Sequence, residues 1–104
     1  MSDRLTKLTK LHQADPRDPF LTYGIALEHG KLGAYDEAIT WLDRTLEADA
    51  KYCYAYFQKA KMLEGKGDSA AAVQVLKHGI AAAQKAGDGH AAEEMTGLME
   101  TIEQ

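Results

Sequence analysis

Apolar residues in this chain recur at helical rather than strand spacing throughout its length. Leu5, Leu8 and Leu11 mark one face of a first helix expected over 3–13, which Asp15-Pro16 ends because proline cannot continue a helix. Asp18-Pro19 opens a second, with the carboxylate as N-cap and proline at the first helical position, where its missing N–H costs nothing. That helix is expected to run to Gly33. A third, 35–48, carries Ala38, Ile39, Leu42 and Leu46 on one stripe. A fourth spans 52–66 and stops at Gly67-Asp68. An alanine-rich fifth covers 69–86 and closes at Gly87-Asp88-Gly89. The sixth, 90–103, shows Ala91, Ala92, Met95, Leu98, Met99 and Ile102 on one face. No segment alternates in the manner of a strand.

These positions repeat at an interval of about 34 residues. Gly33 returns as Gly67, and Asp15 returns as Asp49. Leu5 and Leu8 return as Ile39 and Leu42, then as Val73 and Leu76. A period of this length is the mark of helix pairs that cannot bury their own apolar faces and are stable only when stacked. The expected fold is therefore all-α, a solenoid of antiparallel helix pairs with about six helices, forming a single domain over 1–104. In this period the first helix stands as the second half of a unit, and the sixth as the first half of another. The apolar stripe of the sixth fits after a slip of about one residue.

Composition narrows the function classes. Hydrophobic residues make up 45% and charged residues 27%, which is ordinary globular composition. The net charge of -4 gives no support for binding a nucleic-acid backbone. Charge is unevenly spread: from Lys85 onward come Asp88, Glu93, Glu94, Glu100 and Glu103, whereas the first helix carries Arg4, Lys7 and Lys10 against Asp3. The opening MSDRLTKLTK lacks the apolar core of a secretory signal, and no stretch reaches the roughly 18 apolar residues of a membrane span. With Cys53 as the lone cysteine, the expectation is a cytoplasmic protein with no intrachain disulfide and no membrane partner.

The segment KLGAYDEAITWLDRTLEAD, 31–49, resembles the turn and second helix of a tetratricopeptide repeat, and KGDSAAAVQVLKHGI, 66–80, resembles the next copy. In that family each unit pairs a helix A with a helix B. The resemblance implies a right-handed solenoid with two full units, 19–52 and 53–86, and a half unit at each end. Small residues at the helix crossings would be Ala26 and Ala38, then Ala60 and Ala72. Thr22 departs from the pattern where a bulky aromatic is usual, as do Lys59 at an aliphatic place and Ala50 and Gln84 at the terminal proline.

The resemblance also implies where a partner would sit. The concave surface is lined by A helices, whose inward places here hold Phe20, Tyr23, Leu27 and Gly30, then Tyr54, Phe57, Lys61 and Glu64. Such an aromatic surface suits an amphipathic helix or an extended apolar peptide, and Lys61 suits a carboxylate on that ligand. Members that clamp a terminal carboxylate use lysine and asparagine at the places held here by Tyr23 and Leu27, so that ligand class is not expected. The reading is a non-enzymatic protein-interaction module with no cofactor. The alternative is a self-assembling scaffold subunit, for instance a homodimer through Met95, Leu98, Met99 and Ile102.

Catalytic and metal constellations are missing from the pattern. His12, His29, His78 and His90 lie on four different predicted helices, with no His-x3-His or Glu-x2-His pair to place two metal ligands on one face. Ser69 reads as a helix cap rather than a nucleophile. The GDGH stretch at 87–90 lacks the phosphate-cradling G-x-x-x-x-G-K pattern.

Overall fold

Three glycines with positive φ set the ends of helices: Gly33 at 75°, Gly67 at 86° and Gly87 at 76°. Each closes the preceding helix with the paired bonds of a Schellman turn. Gly33 N–H donates to Gly30 O (3.0 Å) and Ala34 N–H to His29 O (2.9 Å). Gly67 and Asp68 repeat this with Glu64 O and Leu63 O, and Gly87 and Asp88 with Gln84 O and Ala83 O. A side chain at these backbone angles is disfavoured.

A computed structural model describes residues 3–104. It contains α1 (Asp3–Ala14), α2 (Pro19–Lys31), α3 (Tyr35–Ala48), α4 (Cys53–Gly65), α5 (Ser69–Ala86) and α6 (Gly89–Ile102), and no strand among the described residues. Asp18 caps α2 by accepting from Phe20 N–H, and Asp68 and Asp88 cap α5 and α6 by accepting from Ala71 N–H and Ala91 N–H. The second helix ends two residues before Gly33, because the glycine belongs to the turn itself.

Each helix packs on the next in chain order, giving an all-α helical-repeat solenoid. Its core comes in three consecutive clusters. Leu5 and Leu8 of α1 meet Leu21 and Ile25 of α2; Ala26, Ala38, Leu42, Ala55 and Met62 join α2, α3 and α4; Cys53, Ala60, Ala72, Leu76, Ala83, Ala91 and Met95 join α4, α5 and α6. The crossing alanines Ala26, Ala38, Ala60 and Ala72 have no exposed surface. A fully buried Leu42 or Leu76 contributes about 1.5–3 kcal/mol through its apolar surface.

Two sequence expectations need correction. Leu11 is 55% exposed and lies outside the α1 core face. At about 100° per residue it sits roughly 120° round the helix from Leu5, on a side of α1 that α2 and the Trp41 ring of α3 leave largely uncovered. The slip before the last helix is two residues, not one, since α4 starts at Cys53 and α6 only at Gly89. The cause is α5, which at 18 residues runs one turn longer than the 14 of α3.

The Thr22 departure is explained by its partner. Thr22 is buried and its hydroxyl lies 2.8 Å from that of Thr45, itself fully buried. The counterparts of this pair one repeat on are Tyr56 and Gly79. One unit thus packs two medium residues through a hydrogen bond, and the next packs a ring over a bare backbone. A Cβ on Gly79 would come within 2.6 Å of both Tyr56 Cβ and Met95 Sδ. Lys59, the other interior departure, carries its ammonium to Asp43 at 2.7 Å.

Two glycine substitutions on this core therefore have opposite expected outcomes. Gly79→Ala is expected to destabilise the fold by about 1–3 kcal/mol through overpacking. Gly97→Ala, where the added Cβ meets nothing within 4 Å inside α6, is expected to stabilise by about 0.5–1 kcal/mol. Urea unfolding followed by circular dichroism, with unchanged m-value, measures both.

Candidate functional site

The backbones of the A helices α2, α4 and α6 approach one another in series, α2 to α4 and α4 to α6, whereas those of α1, α3 and α5 do not among the described residues, and α1 reaches α3 only through side chains such as His12 on Trp41. The stack therefore curves toward the A helices, and their free face lines the inner side. Phe20, in the first turn of α2, is 64% exposed. Tyr23 and Leu27 follow one and two turns later, both half-buried. On α4, Tyr54 and Phe57 are half-buried and Lys61 is exposed.

The rings form two couples. Tyr23 stacks at 4.9 Å on Tyr52, which stands at the start of α4, and Tyr54 meets Phe57 edge-on at 6.2 Å. Lys61 Nζ lies 5.5 Å from the centre of the Phe57 ring. These distances fall within the range of favourable aromatic and cation–π contact. Two further expected groove residues are engaged elsewhere: a Cβ on Gly30 would strike the Met62 methyl at 2.4 Å, and Glu64 accepts from the Ser69 hydroxyl at 3.0 Å.

Tyr52 lies outside the set of groove residues that the sequence pattern marks. Its signal is faint: it stands one repeat after the N-cap Asp18 but makes no side-chain cap, so its ring is free to stack on Tyr23. Glu94 of α6 also joins the site, its charge acting on the Tyr54 phenol and its carboxylate 2.9 Å from His90 Nε2. Nothing in the helical periodicity marks that contact.

The phenols of this surface resist ionisation. Burial raises the pKa of Tyr23, against a hydrogen bond from Gln58 that lowers it. Burial raises Tyr52, helped by Tyr23, Asp18 and Asp49. Desolvation raises Tyr54, helped by Glu94 and Asp88. Neutral phenols offer a ring face and a hydrogen bond, which suits recognition rather than proton transfer. Cys53 is buried, and burial, with Asp88 and Asp49 nearby, likewise pushes its thiol up. Among the described residues no three His, Cys, Asp or Glu side chains are grouped to hold a metal ion.

The stripe proposed for self-association is corrected at one residue. Met95 is 1% exposed, seated in the chain's own core against Gly79, so it presents no surface to a second copy. Leu98, Met99 and Ile102 are half-buried and pack on the same cluster.

No family model matches the chain, and no curated protein does. Solved structures do. A tetratricopeptide repeat domain protein from Salinibacter ruber is 27% identical with a TM-score of 0.79, over 86% of this chain and 90% of that one. The TPR2B domain of yeast Sti1, in its complex with pHsp70, is 23% identical with a TM-score of 0.90, over 96% and 80%. PcrH, in complex with the chaperone-binding region of PopD, is 18% identical with a TM-score of 0.86, over 94% and 74%. No helix of the described residues is long and apolar enough to cross a membrane.

The raised tyrosine pKa values fix a pH window. The folded values lie above the ordinary value near 10, so the neutral form favours the fold. Their contribution is complete below about pH 10 and is lost as pH rises through the folded values. Phenolate absorbance is expected to grow at higher pH in the folded chain than in the chain unfolded in urea. Tyr54→Phe removes its own share of the lag.

Proposed function

We propose that this small tetratricopeptide-repeat protein is a non-enzymatic interaction module that holds a peptide or helical segment of another protein across Phe20, Tyr23, Leu27, Tyr54, Phe57 and Lys61. The observation that carries this reading is the pair of aromatic couples, Tyr23–Tyr52 bridging α2 to the start of α4 and Tyr54–Phe57 on α4 itself, with Phe20 of α2 64% exposed. Rings left at the surface on rigid helices bury large area on binding with little loss of side-chain freedom. Rings grouped on two neighbouring helices suit the apolar face of an amphipathic helix or alternate side chains of an extended segment. The complexes formed by the TPR2B domain of Sti1 and by PcrH support the same use of this architecture.

The test is loss of partner capture without loss of fold. Immobilised Tyr23→Ala/Phe57→Ala chain is expected to retain roughly a tenth or less of the protein that the unaltered chain captures from native lysate, at matched helicity by circular dichroism. Phe20→Ser, at an exposed ring whose loss does not touch the core, is expected to weaken capture several-fold, on the order of 1 kcal/mol. Capture unchanged in both variants would remove the groove from the account.

A further inference from the structure

The two clefts on the other side of the stack are counterparts, and they differ in a way that makes one of them a site. Pro16, Arg17, Thr22 and Ala48 line a cleft of about 580 Å³ beside the turn between α1 and α2. Their counterparts one repeat on, Ala50, Lys51, Tyr56 and Ala82, line a smaller cleft of about 370 Å³ beside the turn between α3 and α4. The size follows the residue at the A-helix position, a tyrosine ring in the second unit and a threonine in the first. The Thr22 hydroxyl is held by Pro19 O at 3.1 Å and by Thr45 at 2.8 Å.

The larger cleft is lined by hydrogen-bond donors, two of which rest on one ring. Arg44 lies with its guanidinium carbon 4.4 Å from the centre of the Trp41 ring, and His12 meets the same ring edge-on at 5.0 Å. One indole thus braces two of the groups that line the cleft. Arg17 supplies a second guanidinium. Neither Arg17 nor Arg44 forms an ion pair among the described residues, and Glu47 is the one acid in the lining. Asp18, next to Arg17 in the chain, directs its carboxylate to Phe20 N–H. No residue of the aromatic groove lines this cleft.

We propose that the cleft beside the 14–18 turn binds a carboxylate group, held between the guanidinium groups of Arg17 and Arg44. A guanidinium presents its N–H groups as a planar fork that matches the two oxygens of a carboxylate. The two arginines and Glu47 sum to a single formal positive charge. That balance matches a singly charged carboxylate better than a dianionic phosphate, which would meet Glu47. The site stands apart from the proposed groove function and does not rest on it.

Trp41 is the sole tryptophan, so its emission reports on the cleft directly. The probes are acetyl-Ala-Glu-Ala-amide, acetate and inorganic phosphate, each titrated at constant ionic strength. The peptide is expected to change the emission saturably, and Arg17→Gln/Arg44→Gln to weaken that response about tenfold or more. Glu47→Gln is expected to strengthen it several-fold. Thr22→Tyr/Thr45→Gly, which transplants the pair found in the second unit, is expected to close the cleft and abolish the response at unchanged helicity. Should that exchange fail to fold, the exposed arginine pair still decides. Tighter binding of the peptide than of acetate assigns the carboxylate to a protein segment, and equal binding assigns it to a free acid. The proposal is overturned by the absence of a saturable response, by a response undiminished in the arginine variant, or by phosphate binding more tightly than the peptide.

Discussion

Close approach at the alanine crossings is the constraint on which the rest of the structure depends. Ala26 and Ala38 in the first pair, and Ala60 and Ala72 in the second, are fully buried. Because alanine adds only a methyl group, the A and B backbones of a pair lie close enough for Leu42 and Leu76 to be sealed with no exposed surface. A larger residue at a crossing would force the pair apart along its whole length. Close pairs also leave the A helices near one another, so that α2 touches α4 and α4 touches α6. The curvature of the stack, and hence the inner groove, follows from that contact.

Between the crossings, volume is traded rather than repeated. The first pair satisfies one position with Thr22 and Thr45 and the second with Tyr56 over Gly79. Elsewhere a bare glycine receives a neighbour's long side chain, Gly30 under Met62 and Gly65 under the Tyr35 ring. Each exchange keeps the interior filled, as cores require. It does not keep the surface the same, and this is how two units built on one plan present clefts of different size and charge. Variation at the pair level supplies chemical individuality without disturbing the stack.

Helices, turns and crossings were legible because each is a local demand on the chain. Positive φ calls for glycine at Gly33, Gly67 and Gly87, and the interhelical crossing calls for alanine. Periodicity also identified the apolar faces, but a face does not say what covers it. Leu11 satisfies the stripe and is exposed; Met95 belongs to a stripe read as a docking surface and is sealed inside the core. The extent of α5 was legible, but the slip came out at about one residue because the connection after it, 87–88, is two residues shorter than 49–52 after α3, and periodicity does not set connection length. Alanine and glutamine around residue 84 do nothing to stop a helix. Tyr52 and Glu94 entered the groove through tertiary contacts, with Tyr23 and Tyr54, that leave no mark at helical spacing.

The charges around the groove are already engaged, and this bears on how a partner would be selected there. Asp18 and Asp88 accept backbone N–H groups at the starts of α2 and α6, offsetting the positive ends of those helices. Glu94 lies 2.9 Å from His90, and Glu64 accepts from the Ser69 hydroxyl. Lys61 leans over Phe57, and exposed charges of this kind contribute little net affinity once solvent screens them. Under the proposed function, selection at this surface would rest on shape. The contact of α2 with α4 brings Tyr23 to Tyr52 at the start of α4, and the Tyr54–Phe57 couple follows on α4 itself. Under the proposed function, a segment whose apolar side chains match the placement of the two couples would engage both, and one whose side chains do not would lose one of them. The alanine crossings that hold the pairs together are, by this route, also what would set the ruler against which a partner is read.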